Sequence, residues 1–307
     1  MEKVLVILGP TAVGKTKVSL EVADILKGEI ISADSRQIYK YLDIGTAKPT
    51  EEEQKTVAYH LIDIVEPDEQ FSASDYAKEA KKIIREVIKR KKVPIVVGGS
   101  GLYLRALFKG FFKGPKADHN VRERLKKESE KFGTKFLHDR LKEKDPEAAL
   151  RIHPNDEIRI IRALEVCELT KKTITGLQKK GEYEPEEFEF VKIGLKLDRK
   201  QLYERINQRV DRMIKDGLLD EVIKIKQMGY ALPQKDLPWK TLGYKELFLY
   251  LEGKLTLEKA IDLIKRNTRR YAKRQLTWFK KEKDVTWLDA DKEGLIFSIM
   301  KEFLKNA

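Results

Sequence analysis

The sequence predicts an α/β protein, a parallel sheet flanked by helices, with an all-helical insertion. Three observations predict it. Short, continuously apolar runs alternate with helical stretches. A glycine-rich turn joins the first of those runs to the first helix. A central stretch, residues 116–187, holds no strand candidate and is punctuated by Pro146, Pro154 and Pro185.

Residues 3–8 form an apolar run closed by Gly9-Pro10, the pattern of a strand buried on both faces. Residues 15–27 follow as a helix, with Val18, Val22, Ile25 and Leu26 on one side. A second short strand spans 29–32, and Asp34 lies just past its end. Residues 74–91 place Tyr76, Ala80, Ile83, Ile84, Val87 and Ile88 at helical spacing and feed a strand at 93–97, which ends in Gly98-Gly99-Ser100-Gly101. The insertion reads as helices at 121–131, 135–144 and 156–171. Further strands are expected at 190–197 and 285–288, with mostly helix between them. Residues 1–115 and 188–307 would then form the core, with ligands at the C-terminal ends of its strands.

Composition narrows the function classes. No apolar run approaches the length of a membrane span. The strand-like run begins at once, which leaves no room for a signal peptide, so a cytoplasmic protein is expected. Cys167, the single cysteine, excludes an intrachain disulfide and a cysteine-based zinc site, and its place among Ile160 and Leu164 predicts a buried, inert thiol. His60, His119, His138 and His153 lack metal-like spacing. The net charge of +13 suits a polyanionic partner or a thermophile-style surface, and only its distribution can separate the two.

Gly9-Pro10-Thr11-Ala12-Val13-Gly14-Lys15-Thr16 fits G-x-x-x-x-G-K-[ST], placed after a buried strand and opening a helix. The fold expectation is therefore a P-loop NTPase-like sheet. Backbone N–H groups of the loop would wrap phosphate oxygens, Lys15 would reach the terminal phosphate, and the Thr16 hydroxyl would ligate Mg²⁺. No clear Walker-B aspartate follows. Asp34, in Asp34-Ser35-Arg36-Gln37, stands at the mouth of the loop as a metal ligand, a general base, or a cap of a following helix. Arg205, Arg209 and Arg212 share one helix face, either solvated and paired with Glu204 and Asp211 or completing the anion site.

Residues 265–283 read as a basic helix, with nine basic side chains against Glu282 alone. Arg266, Arg269, Arg270, Lys273 and Arg274 share a broad helical face, interleaved with Tyr271, Leu276 and Phe279, which points to nucleic acid. In the insertion, Arg122 with Arg124 and Arg159 with Arg162 either add to that surface or are ordinary surface arginines.

At this point the chain resembles the bacterial tRNA dimethylallyltransferases (tRNA isopentenylpyrophosphate transferases), nearly end to end. The resemblance is carried by the glycine loop, by Asp34-Ser35-Arg36-Gln37-Ile38-Tyr39, by Asp43-Ile44-Gly45-Thr46-Ala47-Lys48-Pro49 and by His60-Leu61-Ile62-Asp63. Val97-Gly98-Gly99-Ser100-Gly101-Leu102-Tyr103, Arg209-Val210-Asp211-Arg212-Met213 and the block from Arg270 to Trp278 continue it. It implies transfer of a dimethylallyl group from its diphosphate to N6 of the adenine immediately 3′ of the tRNA anticodon, with Mg²⁺. Gly9 to Thr16 would then hold the donor's pyrophosphate rather than ATP, and Lys15, Mg²⁺ on Thr16 and Arg209 would stabilise the leaving group. Asp34 would be the general base. Asp34, Ser35, Arg36, Gln37, Ser100, Arg122, Arg159 and Arg162 match positions that contact tRNA, with Arg269, Arg270, Lys273 and Arg274 added by the basic stretch. The chain departs from the pattern at Ser100, where bacterial relatives often carry threonine, and it lacks the zinc module of eukaryotic relatives. A monomer is expected. The competing readings are a P-loop small-molecule kinase and a prenyltransferase acting on free adenine nucleotide.

Overall fold

The computed structural model describes residues 1–110, 114–179, 187–230 and 238–305. The chain divides into two compact units, Met1–Phe108 with Glu186–Ala307, and Lys109–Pro185.

The first unit is built on six strands: β1 (Glu2–Leu8), β2 (Gly28–Ala33), β3 (Tyr59–His60), β4 (Val93–Gly98), β5 (Phe188–Lys196) and β6 (Val285–Asp289). They form one sheet in the order β3-β2-β4-β1-β5-β6, and every pairing is parallel. The central β1 pairs on both sides, Leu5 with Ile95 of β4 and with Val191 of β5. Its continuous apolar run follows from that position. Val4, Val6 and Leu8 enter one apolar layer while Leu5 and Ile7 enter the other, so alternate side chains are wanted on both faces. The expected strands are all present, most of them longer by a residue at one or both ends; β5 begins two residues earlier than expected and stops at Lys196, one residue short of the expected end. The added strand is β3, two residues at the sheet's edge, too short to leave a periodic signal.

The helices of this unit are α1 (Lys15–Leu26), α2 (Glu51–Thr56), α3 (Ala73–Lys89) and α4 (Gly101–Lys109) before the break in the unit. The second unit contains α5 (His119–Phe132), α6 (Thr134–Lys144), α7 (Pro146–Arg151), α8 (Glu157–Thr170) and α9 (Ile174–Lys179), with no strand among its described residues. The first unit resumes with α10 (Arg199–Lys215), α11 (Leu218–Gln227), α12 (Tyr244–Leu251), α13 (Leu257–Phe279) and α14 (Leu295–Leu304). Ser72 with Asp75 and Thr50 with Glu53 close capping boxes at α3 and α2, which explains where those helices start. A third apolar cluster unites α10 to α13 around Tyr244, Phe248 and Val210. The second unit has a core of its own, centred on Leu125, Leu137, Leu141, Ile160 and Leu164. Within it, the buried Asp145 accepts the backbone N–H of Ala148 at 3.0 Å and of Thr175 at 3.0 Å, capping α7 and anchoring α9 with one carboxylate.

Two expectations are corrected here. The basic helix stops at Phe279, so Lys280, Lys281 and Lys283 lie beyond its end. Cys167 is half-buried rather than buried, with burial still pushing its thiol up.

Candidate active site

The glycine loop leaves the C-terminal end of β1 and enters α1 at Gly14, whose φ of 103° is one that L side chains avoid. No side chain caps α1, so the N–H groups of its first turn are left for another partner. The loop residues do not contribute equally. Pro10 has no N–H to give, and its carbonyl instead accepts Lys15 Nζ at 2.8 Å, beside the Gly9 carbonyl at 3.1 Å. Val13 turns its side chain into the core. Thr11, Ala12, Gly14, Lys15 and Thr16 border a cavity of about 380 Å³.

A residue that sequence reasoning passed over holds the loop in place. Gln275 of α13, 5% exposed, accepts the Thr11 N–H at 2.9 Å and donates to the Gly99 carbonyl at 2.9 Å. A Cβ on Gly99 would stand 2.3 Å from that amide, so a larger residue there would push the Gln275 brace away from the loop.

Asp34 sits just past β2, and its carboxylate accepts the N–H of Arg36 at 2.8 Å. The segment that follows is a run of turns, so there is no helix for Asp34 to cap, and that alternative is removed. Ser100 is buried at the end of β4. It accepts the Ser35 N–H at 2.9 Å and donates to the Ser35 hydroxyl at 3.2 Å, fixing the Asp34 turn to the sheet. Gln37 accepts from Ser32 at 3.2 Å and donates to the carbonyls of Ala47 at 3.0 Å and Thr46 at 3.3 Å. Ser35, Gln37 and Ser100 are thus committed to internal bonds.

Arg205, Arg209 and Arg212 of α10 all border the loop cavity. They are not paired along their own helix. Arg205 meets Asp291 at 2.5 Å, and Asp211 is taken by Lys265 at 2.6 Å. Arg209 reaches the Thr11 hydroxyl at 3.4 Å. The electrostatics follow from this crowding. Burial holds Lys15 down to about 8, the Asp34 carboxylate opposes it, and Arg209 pushes further down. Burial likewise lowers Arg209, with Asp34 opposing and Arg212 adding. Tyr271 is pushed up to about 12 by burial and by Asp34, which keeps its phenol protonated. A second cavity, about 350 Å³, is lined by Ile206, Val210, Met213, Leu218, Leu242 and Ile264 among others. It shares Thr11, Asp34, Thr46, Arg209 and Tyr271 with the first, so these five residues form a common wall.

On α13, Arg266, Arg270, Lys273 and Arg274 are exposed, whereas Arg269 is half-buried and donates to Asn207 of α10 at 2.5 Å. Arg274 also borders the second cavity and lies 5.8 Å over the Tyr271 ring. In the second unit, Arg122 and Arg162 grip the buried Glu165, Arg122 bidentately at 2.8 and 3.0 Å and Arg162 at 2.5 Å. They are neither ordinary surface arginines nor a free basic patch, because removing either would leave a buried carboxylate short of charge. Arg159 stays exposed, 3.4 Å from Asp156. The histidines hold local structure: His60 meets Glu29 at 2.7 Å, and His138 meets the carbonyls of Ile152 at 3.0 Å and Ala149 at 3.1 Å.

The parallel sheet, the glycine loop at its C-terminal edge and the five-residue wall between two adjoining cavities define a P-loop NTPase-like α/β protein. The chain belongs to the IPP transferase family, whose model matches residues 37–282. It is 47% identical to the tRNA dimethylallyltransferase of Acetivibrio thermocellus, over all of this chain and 96% of that one. It is 49% identical to that of Thermotoga maritima, over 99% and 97%. The crystal structure of the tRNA isopentenylpyrophosphate transferase of Bacillus halodurans is 45% identical, with a TM-score of 0.71, covering 99% of this chain and 95% of that one. A eukaryotic dimethylallyltransferase acting on tRNA aligns with a TM-score of 0.81 at 29% identity, over 94% of this chain and 74% of that one. The glycine loop and Asp34 precede the residues the family model matches, but the relative from Acetivibrio thermocellus aligns across them.

Proposed function

We propose that this chain transfers a dimethylallyl group from dimethylallyl diphosphate to N6 of the adenine immediately 3′ of the anticodon in tRNA, releasing diphosphate. The observation that carries the reading is the shared wall: a cationic, loop-lined cavity and a more apolar one meet at Asp34, Thr11 and Arg209.

The diphosphate lies along the glycine loop, met by the N–H groups of α1's first turn, Lys15 and Arg209. As the C1–O bond to diphosphate breaks and the N6–C1 bond forms, charge grows on the departing oxygens, where those cations act. The Asp34 carboxylate takes the proton that N6 loses. The target adenine leaves its stack to reach the wall, which favours an unpaired loop base. Tyr271, held protonated, donates a hydrogen bond rather than acting as a base. Mg²⁺ fits this donor set. Thr16 borders the loop cavity and offers a hydroxyl oxygen, and no group of three or more His, Cys, Asp or Glu side chains stands ready for a metal among the described residues. Such a sparse site suits an ion that takes most of its ligands from phosphate and water. Bound there, Mg²⁺ would neutralise the leaving diphosphate.

The tRNA backbone is met by the exposed cations of α13 and by Arg159, with Asp34 to Gln37 and Ser100 shaping the entrance. Arg122 and Arg162 contribute through the architecture they hold around Glu165. No described helix is long and apolar enough to cross a membrane, and the protein works as a monomer in the cytoplasm. The test is direct. Incubation with dimethylallyl diphosphate and either tRNA or AMP, followed by nucleoside mass spectrometry, should show prenylated adenine only in tRNA. Prenylated AMP would establish the free-nucleotide reading, and phosphate transfer from ATP the kinase reading.

A further inference from the structure

The loop Asp43-Ile44-Gly45-Thr46-Ala47-Lys48 supplies no group to the bond making or proton transfer above, yet it is tied down by a dense set of bonds. Glu221 of α11 accepts three successive backbone N–H groups, from Asp43 at 3.1 Å, Ile44 at 2.8 Å and Gly45 at 3.2 Å. Its fourth donor is the Tyr244 hydroxyl, at 2.7 Å. A run of consecutive N–H groups around one carboxylate fixes the direction of each peptide in that run. The Tyr244 ring seals the other side, since a Cβ on Gly45 would fall 2.4 Å from it. Lys48, its side chain 4% exposed, is bound to Asp43, to Asp63 and to the Tyr39 carbonyl.

What this cage holds still is Thr46. Its hydroxyl donates within the loop to the Leu42 carbonyl at 2.6 Å, and its own carbonyl accepts from Gln37 at 3.3 Å. Thr46 is one of the five residues in the wall common to both cavities. We infer that Glu221 is a positioning residue for the transfer: by caging the backbone of residues 43–45 it sets where Thr46 stands, and so how closely the acceptor base approaches the donor's C1. The inference rests on the proposed transferase reading. It assigns Glu221 no contact with either substrate.

A displaced wall separates the two halves of the reaction. The C1–O bond still breaks over the glycine loop, but N6 no longer stands in line, and water can take its place. Water then adds to C1, its proton passes to solvent, and dimethylallyl alcohol and diphosphate leave with the tRNA unmodified. Wild type, Glu221→Gln, Glu221→Asp and Gly45→Ala are therefore compared for kcat, for tRNA affinity and for diphosphate released per base modified. Circular dichroism and thermal melts come first, and if Glu221→Gln fails to fold, Gly45→Ala and Tyr244→Phe probe the same cage. Misplacement of reacting groups by about 1 Å costs about 10²-fold in rate. Glu221→Gln and Gly45→Ala should therefore lose about that in kcat, keep their tRNA affinity, and release more than one diphosphate per modified base. Glu221→Asp should recover part of both. A purely structural role would lower both products together. Folded variants with wild-type kcat and one diphosphate per base would overturn the inference, as would lost tRNA affinity with kcat kept. A wild-type protein that fails to modify tRNA would instead sink the transferase reading, a result distinct from either.

Discussion

Replacing Asp34 by asparagine isolates one property of the side chain. The carboxylate accepts the Arg36 N–H at 2.8 Å, and an amide oxygen can keep that bond, so the turn at the end of β2 should survive. Asp34→Ala would not be equivalent, since losing a charged acceptor costs about 1.5–3 kcal/mol and would confuse folding with chemistry. What asparagine cannot do is take the proton from N6. A general base contributes about 10²–10⁴-fold, which at about 1.4 kcal/mol per decade is a barrier rise of roughly 2.7–5.5 kcal/mol. One electrostatic side effect needs control. Asp34 supports the charge on both Lys15 and Arg209, so its loss lets Lys15 fall below its already lowered value of about 8. Comparing the two proteins over a range of pH separates that contribution, which shrinks as pH falls. Single-turnover mixing with saturating donor and tRNA, quenched and analysed for modified nucleoside, then reports the chemical step. A rate within about threefold of wild type lies well short of any general-base effect and would refute proton abstraction by Asp34.

The same Lys15 sets a pH limit. Its charge is complete well below pH 8 and lost above it, so kcat/KM for the donor should fall with unit slope above about pH 8; a flat profile to roughly pH 10, where an ordinary lysine titrates, would place the lysine outside donor binding. Gln275→Ala strands the buried Gly99 carbonyl and frees the Thr11 N–H at the cavity wall, which should cost about 1–3 kcal/mol in urea unfolding, with a raised donor KM; unchanged stability and KM together would remove its role as the brace of the loop. Alanine at Arg270 or Lys273, both exposed, should reduce the slope of log Kd against log salt by about 0.7–0.9 for a phosphate contact. Arg269→Ala should chiefly reduce thermal stability through its lost bond to Asn207, and a salt effect at Arg269 alone would reverse that assignment.

The elements around β1 and α1 were legible because their signals are local. An apolar run, a glycine loop and a helical stripe all lie within 26 residues of the N-terminus. Length decides what such signals can show, and the two-residue β3 carries none. The candidate site divides along the same line. Lys15, Thr16 and Asp34 could be named from short motifs, and the structure brings all three to the loop cavity. Gln275 lies 264 positions from the Thr11 it braces, and an amide within a basic helix looks like surface until the chain is folded. Glu221 is likewise 178 positions from Asp43. A distant partner leaves no mark in a local charge pattern: Glu165 lies 43 positions from Arg122, so the clamp between them shows only in the folded chain. The break of α13 at Phe279 followed no strong signal in the lysine-rich sequence beyond it.

Two functions are written on α13 at different angles around its axis. Arg270 and Lys273 point to solvent, while Tyr271 and Gln275 point to the cavities and the glycine loop. Each residue advances the helix by about 100°. Inserting or deleting one residue between Arg270 and Gln275 would therefore rotate the amide off the Thr11 peptide while shifting one half of the cationic face against the other. The helix is constrained in phase as well as in composition: its residue count between the two sets of contacts is locked. An insertion N-terminal to Arg266 would keep the outward cations and the inward brace in phase, but it would displace Ala260 and Ile264 from the apolar cluster they share with α10 to α12.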